Sequence, residues 1–209
     1  GNGTFVNGQR VEGEVWLDAD YELRIGPYRF VMGADRLAQY DETGGGLRVE
    51  AVGLNKWVRG NLNILQNISL VIQPKEFVVV VGQSGGGKST LVDSIAGYRP
   101  ATHGKVFVNG IDIYRNFDAI RSNIGFVPQR DIIHMELTVG QALDYAAQLR
   151  MLPDTTPTER RKRVSEVLEE LDLAHRKDVQ ISGLSGGQQK RVSIGVELLT
   201  QPGLFFLDE

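Results

Sequence analysis

The sequence predicts an α/β fold with a small all-β unit ahead of it. Three observations predict it. The β-branched run Phe77-Val78-Val79-Val80-Val81 leads through a glycine-rich loop into Leu91-Val92-Asp93-Ser94-Ile95-Ala96, which reads as buried strand, loop, helix. Val164, Val167, Leu168 and Leu171 recur at i, i+3, i+4 and i+7, one buried helix face, and Leu204-Phe205-Phe206-Leu207 reads as a later apolar strand. Before residue 33, apolar and polar residues alternate with the period of two expected of strands.

Taken in order, residues 1–32 read as β. Asn7-Gly8 between Thr4-Phe5-Val6 and Gln9-Arg10-Val11 is a hairpin signal, because both turn residues tolerate positive φ. Val15 and Leu17 alternate with polar neighbours, as do Leu23 and Ile25; Gly26-Pro27 turns the chain, and Tyr28, Phe30 and Met32 alternate again. Residues 33–46 lack apolar periodicity and end in Gly44-Gly45-Gly46, so a flexible linker and the domain boundary are expected there. Leu47 to Ile72 reads as two or three strands, with a turn at Gly60-Asn61, and Pro74 breaks the chain before the strand at 77–81. Further strands are expected at 104–110 and at Ile124-Gly125-Phe126-Val127, which Pro128-Gln129 closes. Thr138 with Gln141 three residues on predicts a capping box at the start of a helix over 139–150. The helix carrying Val164 and Leu168 bears Glu159, Arg160, Arg161, Lys162, Arg163, Glu166, Glu169 and Glu170 on its other face; with acidic residues so close behind the basic run, that face reads as solvated rather than as a phosphate site.

The loop Gly82-Gln83-Ser84-Gly85-Gly86-Gly87-Lys88-Ser89-Thr90 fits the pattern G-x-x-x-x-G-K-[ST] in its strand-to-helix context. Glycines at 85, 86 and 87 permit left-handed angles and close approach to a ligand, so that successive N–H groups form an anion nest at a helix N-terminus. Lys88 is placed to reach β- and γ-phosphates, and the Ser89 hydroxyl to ligate Mg²⁺. The plainer alternative is a flexible glycine loop with a stray lysine; it leaves the agreement of every fixed position and both flanks unexplained.

Two later motifs add chemistry. Asp208-Glu209 ends an apolar strand; downstream of such a loop, an Asp there helps hold Mg²⁺ and a following glutamate can polarise an attacking water. Ser185 is a good N-cap, and Gly186-Gly187 expose the first N–H groups of the helix through Gln188 to Leu199, a second anion-binding terminus. Local sequence leaves open whether that terminus binds a ligand or is a capped helix that happens to begin with glycines.

The rest of the composition narrows the class. Formal net charge is −3, which gives no basic field for nucleic acid. There is no cysteine, so neither a disulfide nor a Cys-based metal site exists, and the three histidines form no ligand pair. No apolar run approaches the roughly 18 residues needed to span a bilayer. No signal peptide is evident, and both ends look cut, which suggests a piece of a longer protein in a reducing compartment.

The loop 82–90, Gln129 after a short strand, Leu184-Ser185-Gly186-Gly187-Gln188, and Asp208-Glu209 occur in the order found in ATP-binding cassette (ABC) ATPases, and residues 47–209 resemble that family. The resemblance implies a P-loop NTPase domain that binds ATP with Mg²⁺ and ends here after its Mg²⁺-carboxylate strand. It implies head-to-tail pairing with a second cassette, in which Ser185, Gly187 and Gln188 act in trans on the γ-phosphate. It also implies catalytic roles for Lys88, Gln129 and Glu209, and Mg²⁺ contacts from Ser89, Gln129 and Asp208. Gly125 to His134 with Leu137-Thr138-Val139, and Gly186 to Leu198, resemble the eye-pigment (White) type, the G subfamily. That type implies a transmembrane domain on the same chain beyond residue 209 and a place on the cytoplasmic face of the membrane. The family's adenine-stacking position falls on Val58, an aliphatic residue with Trp57 beside it as a core or interface candidate. None of His103, His134 and His175 matches the family's switch histidine.

Asn2 to Gly8, Leu23-Arg24-Ile25-Gly26 and Tyr28-Arg29-Phe30 are similar to the C-terminal half of a forkhead-associated domain, a β-sandwich that binds phosphothreonine peptides. The family's phosphate-gripping Arg and Ser belong to the other half. Asn2 matches a peptide-contacting position, with turn chemistry as the alternative; for Asn7, turn chemistry is preferred. Two function classes follow: the ATP-hydrolysing part of a membrane exporter, or a soluble ATP-gated regulator controlled by phosphopeptide binding. About six spanning helices beyond residue 209 would mark the exporter. A third possibility is that this stretch alone binds nucleotide poorly and hydrolyses none.

Overall fold

The structure is a computed structural model that describes residues 4–18, 21–25, 28–32, 37–40, 46–129 and 133–208; for Tyr28, Arg29, 37–40 and Ala119 it describes the backbone alone. It divides into two compact units, 1–121 and 122–209. Asn2, the Gly26-Pro27 turn, 41–45 of the expected linker and Glu209 lie outside the described residues.

In the first unit, Asn7 and Gly8 both take left-handed angles, φ 49° and 77°. They close the expected two-residue hairpin between β1 (Thr4–Val6) and β2 (Gln9–Arg10). Asn7 Oδ1 accepts the N–H of Glu22 at 2.9 Å, which ties that turn to β3 (Glu22–Ile25). β4 (Tyr28–Met32) and β5 (Leu37–Tyr40) extend the antiparallel order β2-β1-β3-β4-β5. Strand β5 falls inside the expected linker: it pairs Val31 with Ala38 and Met32 with Leu37, and those ladder bonds outweigh the weak sequence pattern.

Two expectations for this sheet are corrected. Val15 and Leu17 lie in no strand. The inward face is also the opposite of the one alternation suggests: Arg24 and Val31 are buried, while Ile25 is 45% exposed. The Arg24 guanidinium lies 4.0 Å from the Phe5 ring centroid, a cation–π contact that lets a charge occupy the inner face. A one-residue offset of this kind moves every side chain to the other side.

β6 (Val49–Val58) and β7 (Leu62–Ile72) form the long hairpin, turned by Gly60 at φ 81° and Asn61 at φ 58°. β8 (His103–Val108) and β9 (Ile111–Asp112) complete the antiparallel order β7-β6-β8-β9. Asn55 Oδ1 accepts both Asn63 Nδ2 and the Asn67 N–H, and Asn63 Oδ1 accepts the Lys56 N–H, so side chains satisfy the backbone where the β6–β7 register shifts. Helix α1 (Lys88–Ile95) packs against β7, and Tyr114 secures its end. The Tyr114 hydroxyl donates to Ser94 O at 2.9 Å and accepts the Ala101 N–H at 3.2 Å. α2 (Phe117–Ile120) brings Phe117 edge-on to Tyr98 at 5.3 Å.

The run 77–81 is the main correction. It forms no ladder among the described residues, and its residues are 43–88% exposed instead of buried. Just upstream, Lys75 takes φ 64° and Gln73 N–H donates to Glu76 Oε2 at 2.7 Å, a tight turn after the end of β7.

In the second unit β10 (Ile124–Val127) and β11 (Leu204–Leu207) pair in parallel, Ile124 with Leu204 through Val127 with Leu207. Three helices supply the core: α3 (Val139–Arg150), α4 (Pro157–Glu170) and α5 (Gly186–Leu198). The expected Thr138–Gln141 capping box forms, and a second one, Thr156–Glu159, starts α4. Val164, Val167 and Leu168 are buried as the periodicity predicts. At Gly195 α5 approaches both partners: a Cβ there would sit 3.1–3.3 Å from Leu171, Leu143 and Val167.

Candidate functional site

In the first unit, Gly85 and Gly87 take φ +77° and +83° and give the loop its curvature. Gly86 does not; its constraint is Gln83 O, which a Cβ would meet at 3.0 Å, so the left-handed freedom expected of all three glycines is used at two. Gly87 is the N-cap of α1 and offers no side-chain cap, and the first intrahelical bond runs from Leu91 N–H to Gly87 O at 2.9 Å. The positive end of the helix thus opens on the loop, the arrangement that favours an anion. Lys88 Nζ donates to Gly82 O at 2.9 Å and Gln83 O at 3.0 Å, so its charge is held against the start of the loop while Ser89 and Thr90 occupy the first helical turn. Gln83 and Ser84 are exposed.

The same end of α1 rests on β7. A Cβ on Gly87 would meet Ile64 Cγ2 at 3.0 Å. Leu62 lies two residues before Ile64 on the same face of the strand and pairs with Val58 across the hairpin. Val58 and Leu62 are 38% and 61% exposed, an aliphatic patch beside the loop. Trp57 pairs with Asn63, on the opposite face, and at 41% exposure its ring is not part of the core.

In the second unit the parallel pairing brings the two strand ends together. Asp208 N–H donates to Val127 O at 2.9 Å, so Asp208 stands beside the segment Pro128-Gln129, at the carboxyl ends of β10 and β11, where α/β sheets commonly present ligand-binding groups. Gln129 is exposed and Asp208 half-buried. At the start of α5, Ser185 Oγ accepts the Gln188 N–H at 3.4 Å and Gln188 Oε1 accepts the Ser185 N–H at 3.0 Å. Gln188 is therefore engaged in closing the cap. Open space surrounds Gly186 and Gly187, which leaves this terminus accessible.

The basic run on α4 is locally paired, and Arg163 departs from the solvated face expected of it. Its side chain is only 12% exposed; it reaches Glu166 and Glu170 and donates to Leu198 O at 2.8 Å, which closes the end of α5. Sequence reading misses three residues near Gln129. Glu197 Oε2 accepts the Phe126 N–H at 3.2 Å, Arg150 makes a two-pronged ion pair with Glu197, and Lys190 Nζ donates to Pro128 O at 2.9 Å. No local pattern signals these contacts, since the partners lie far apart in the chain.

A sequence profile described as ABC transporter matches residues 65–209. The chain belongs to the ABC transporter family. Its relatives include the ABC transporter ATP-binding/permease protein Rv1747 of Mycobacterium tuberculosis, 43% identical over 213 aligned positions that cover 100% of this chain and 24% of that protein. ABC transporter G family member 4 of Dictyostelium discoideum is 36% identical, over 78% of this chain and 21% of the relative. ABC transporter G family member 8 of Arabidopsis thaliana is 42% identical, over 70% and 24%. Among solved structures, cbiO1 from Clostridium perfringens, part of the ABC transporter complex cbiONQ, superimposes with a TM-score of 0.69 at 28% identity, over 77% of this chain and 64% of that one. The P-loop ABC ATPase fold and the G-subfamily kinship expected from the motifs are thus borne out. The chain spans about a quarter of the length of the curated relatives it matches. Among the described residues no helix of this ABC family member is long and apolar enough to cross a membrane.

Proposed function

We propose that residues 47–209 belong to the ATP-binding and ATP-hydrolysing domain of a G-type ABC exporter, working at the cytoplasmic face of a membrane. The observation that carries this reading is the uncapped start of α1 behind left-handed Gly85 and Gly87, with the Lys88 ammonium held at the loop. Residues 82–90 grip the phosphates through backbone N–H groups and Lys88. Val58 lies under the adenine. Ser89, Gln129 and Asp208 would hold Mg²⁺ through a hydroxyl, an amide oxygen and a carboxylate, the hard oxygen donors this ion prefers. When bound, Mg²⁺ supplies charge neutralisation at the phosphate oxygens. Glu209 takes the proton of the attacking water. Ser185, Gly187 and Gln188 complete the site of a second cassette in a head-to-tail dimer, the cap formed by Ser185 and Gln188 fixing the direction of the amides of Gly186 and Gly187. The membrane partner is a transmembrane domain further along the same chain, a reading supported by the permease part of the Mycobacterium tuberculosis relative's name. No nucleic-acid partner is proposed.

The five-stranded antiparallel sheet supports a second part of this reading. Residues 1–32 are the C-terminal part of a forkhead-associated sandwich, whose ligand in the intact protein is a phosphothreonine peptide.

The test is ATP hydrolysis by the intact protein with and without Mg²⁺, beside Glu209→Gln. The wild type should turn over ATP only with Mg²⁺, and the variant should keep ATP binding, lose turnover and accumulate as a dimer. Unchanged turnover in the variant removes Glu209 from the role of base. A wild type that neither binds nor hydrolyses ATP removes the whole reading.

A further inference from the structure

α5 meets one peptide group of β10 and one just past the end of that strand. Val127 O faces β11, because it accepts the Asp208 N–H. In a strand successive peptides point to alternate sides, so that of Phe126 faces away from β11; Pro128 follows directly after the strand. Both are met by side chains of α5. Glu197 Oε2 accepts the Phe126 N–H at 3.2 Å, and Lys190 Nζ donates to Pro128 O at 2.9 Å. Lys190 and Glu197 are seven residues apart on α5, two turns along one face. Glu197 is itself fixed: its side chain is 12% exposed, and Arg150 Nη2 donates to Oε2 at 2.7 Å, with Nη1 on the other oxygen. The helix thereby takes the place of a neighbouring strand along β10, using one acceptor and one donor. Lys190 lies one turn in from the Ser185 cap, and the carbonyl it holds belongs to the residue before Gln129.

We propose that Lys190 is a positioning residue for Gln129: it fixes the peptide ahead of Gln129 to the helix that begins at Ser185, so that the amide oxygen of Gln129 meets Mg²⁺ in a set place. This rests on the reading of Gln129 as a Mg²⁺ ligand given above. The side chain of Lys190 touches neither nucleotide nor metal in this role. Its effect runs through the main chain of Pro128, and the quantity it controls is the affinity for Mg²⁺ in the reaction, not the affinity of residues 82–90 for ATP.

The experiment is ATP hydrolysis by the intact protein at saturating ATP with Mg²⁺ titrated, for the wild type, Lys190→Met and Lys190→Arg, with melting temperature measured on each. Met keeps the apolar stem and removes the donor; Arg keeps a donor. The half-saturating Mg²⁺ concentration of K190M should rise about three- to tenfold, the worth of one hydrogen bond. ATP binding without Mg²⁺ and the melting temperature should stay those of the wild type, and K190R should return the Mg²⁺ dependence to within about twofold. An unchanged Mg²⁺ dependence in K190M overturns the inference and leaves the ATPase reading intact. A shift that comes with a lowered melting temperature and that K190R does not restore also overturns it, since the role is then structural. A wild type whose hydrolysis is indifferent to Mg²⁺ removes the reading and the inference together.

Discussion

Gly125 and Phe205 stand opposite each other across the parallel pair β10–β11, and the Phe205 ring fills the space that a side chain at 125 would need. A Cβ on Gly125 would lie 2.6 Å from Phe205 Cδ2 and 2.8 Å from Pro202 Cγ. The strand that leads to Gln129 thus packs against the strand that leads to Asp208 through an aromatic ring on a bare backbone.

Gly125→Ala should destabilise the protein by about 1–3 kcal/mol, the usual cost of overpacking where neighbours are ring atoms rather than flexible tips. Urea denaturation followed by circular dichroism measures it. A variant as stable as the wild type would show that Phe205 and Pro202 retreat without cost.

Lys88→Ala should weaken ATP binding about 10- to 100-fold, since charge-assisted hydrogen bonds are worth roughly 1.5–3 kcal/mol. The fold should be unaffected, because the partners of Lys88 in the loop are the exposed carbonyls of Gly82 and Gln83. Calorimetric titration with Mg·ATP, beside a melting curve, separates the two effects. Equal affinity in variant and wild type would remove Lys88 from the phosphate site.

Val58→Tyr should tighten ATP binding about 2- to 12-fold, the worth of an aromatic contact of roughly 0.5–1.5 kcal/mol. It should also raise the preference for ATP over GTP. The wild-type surface beside the loop is aliphatic, Val58 paired with Leu62, and supplies no ring for stacking. Competition binding with the two nucleotides reads the difference; a variant that gains nothing places the base elsewhere.

Tyr114 carries a pH dependence whose sign follows from burial. Burial pushes its hydroxyl above the ordinary tyrosine value of 10.0, the hydrogen bond from Ala101 opposes this, and the Asp112 charge adds to it. The folded protein favours the neutral phenol, so its stabilisation is fully present below about pH 10 and is lost as pH rises past that point. Tyr114→Phe should cost about 1 kcal/mol at neutral pH through the lost bonds to Ser94 and Ala101. It should also flatten the alkaline fall in stability, and denaturant midpoints at pH 7 and above pH 10 test both statements. Parallel slopes for the two proteins would contradict the assignment.

Some of this was legible because it is local. The Asn7-Gly8 turn, the Thr138–Gln141 capping box, the Ser185 N-cap and the start of α1 at Lys88 each involve residues within one turn of each other. Their chemistry is complete in a short window, so spacing alone identifies them. Alternation failed at Arg24 because an arginine can lie on an inner face when a ring receives its charge, and a polarity pattern does not contain the ring. Strand composition failed at 77–81 because β-branched residues favour an extended backbone without supplying the second strand that would hold it.

By itself, then, the sequence determined the phosphate-type loop and the helix starts at Lys88, Thr138 and Ser185, which are properties of contiguous residues, and the family, which is read from short motifs in a set order. Only the tertiary structure decided that Asp208 stands beside Val127, that Phe205 covers Gly125, and that Glu197 and Lys190 hold the peptides of Phe126 in β10 and of Pro128 just after it. Those relationships join segments distant in the chain. Hydrogen bonds and packing of that kind form once folding has fixed which strand lies beside which and which helix face lies over them, and that choice is made by the whole core rather than by any stretch of it.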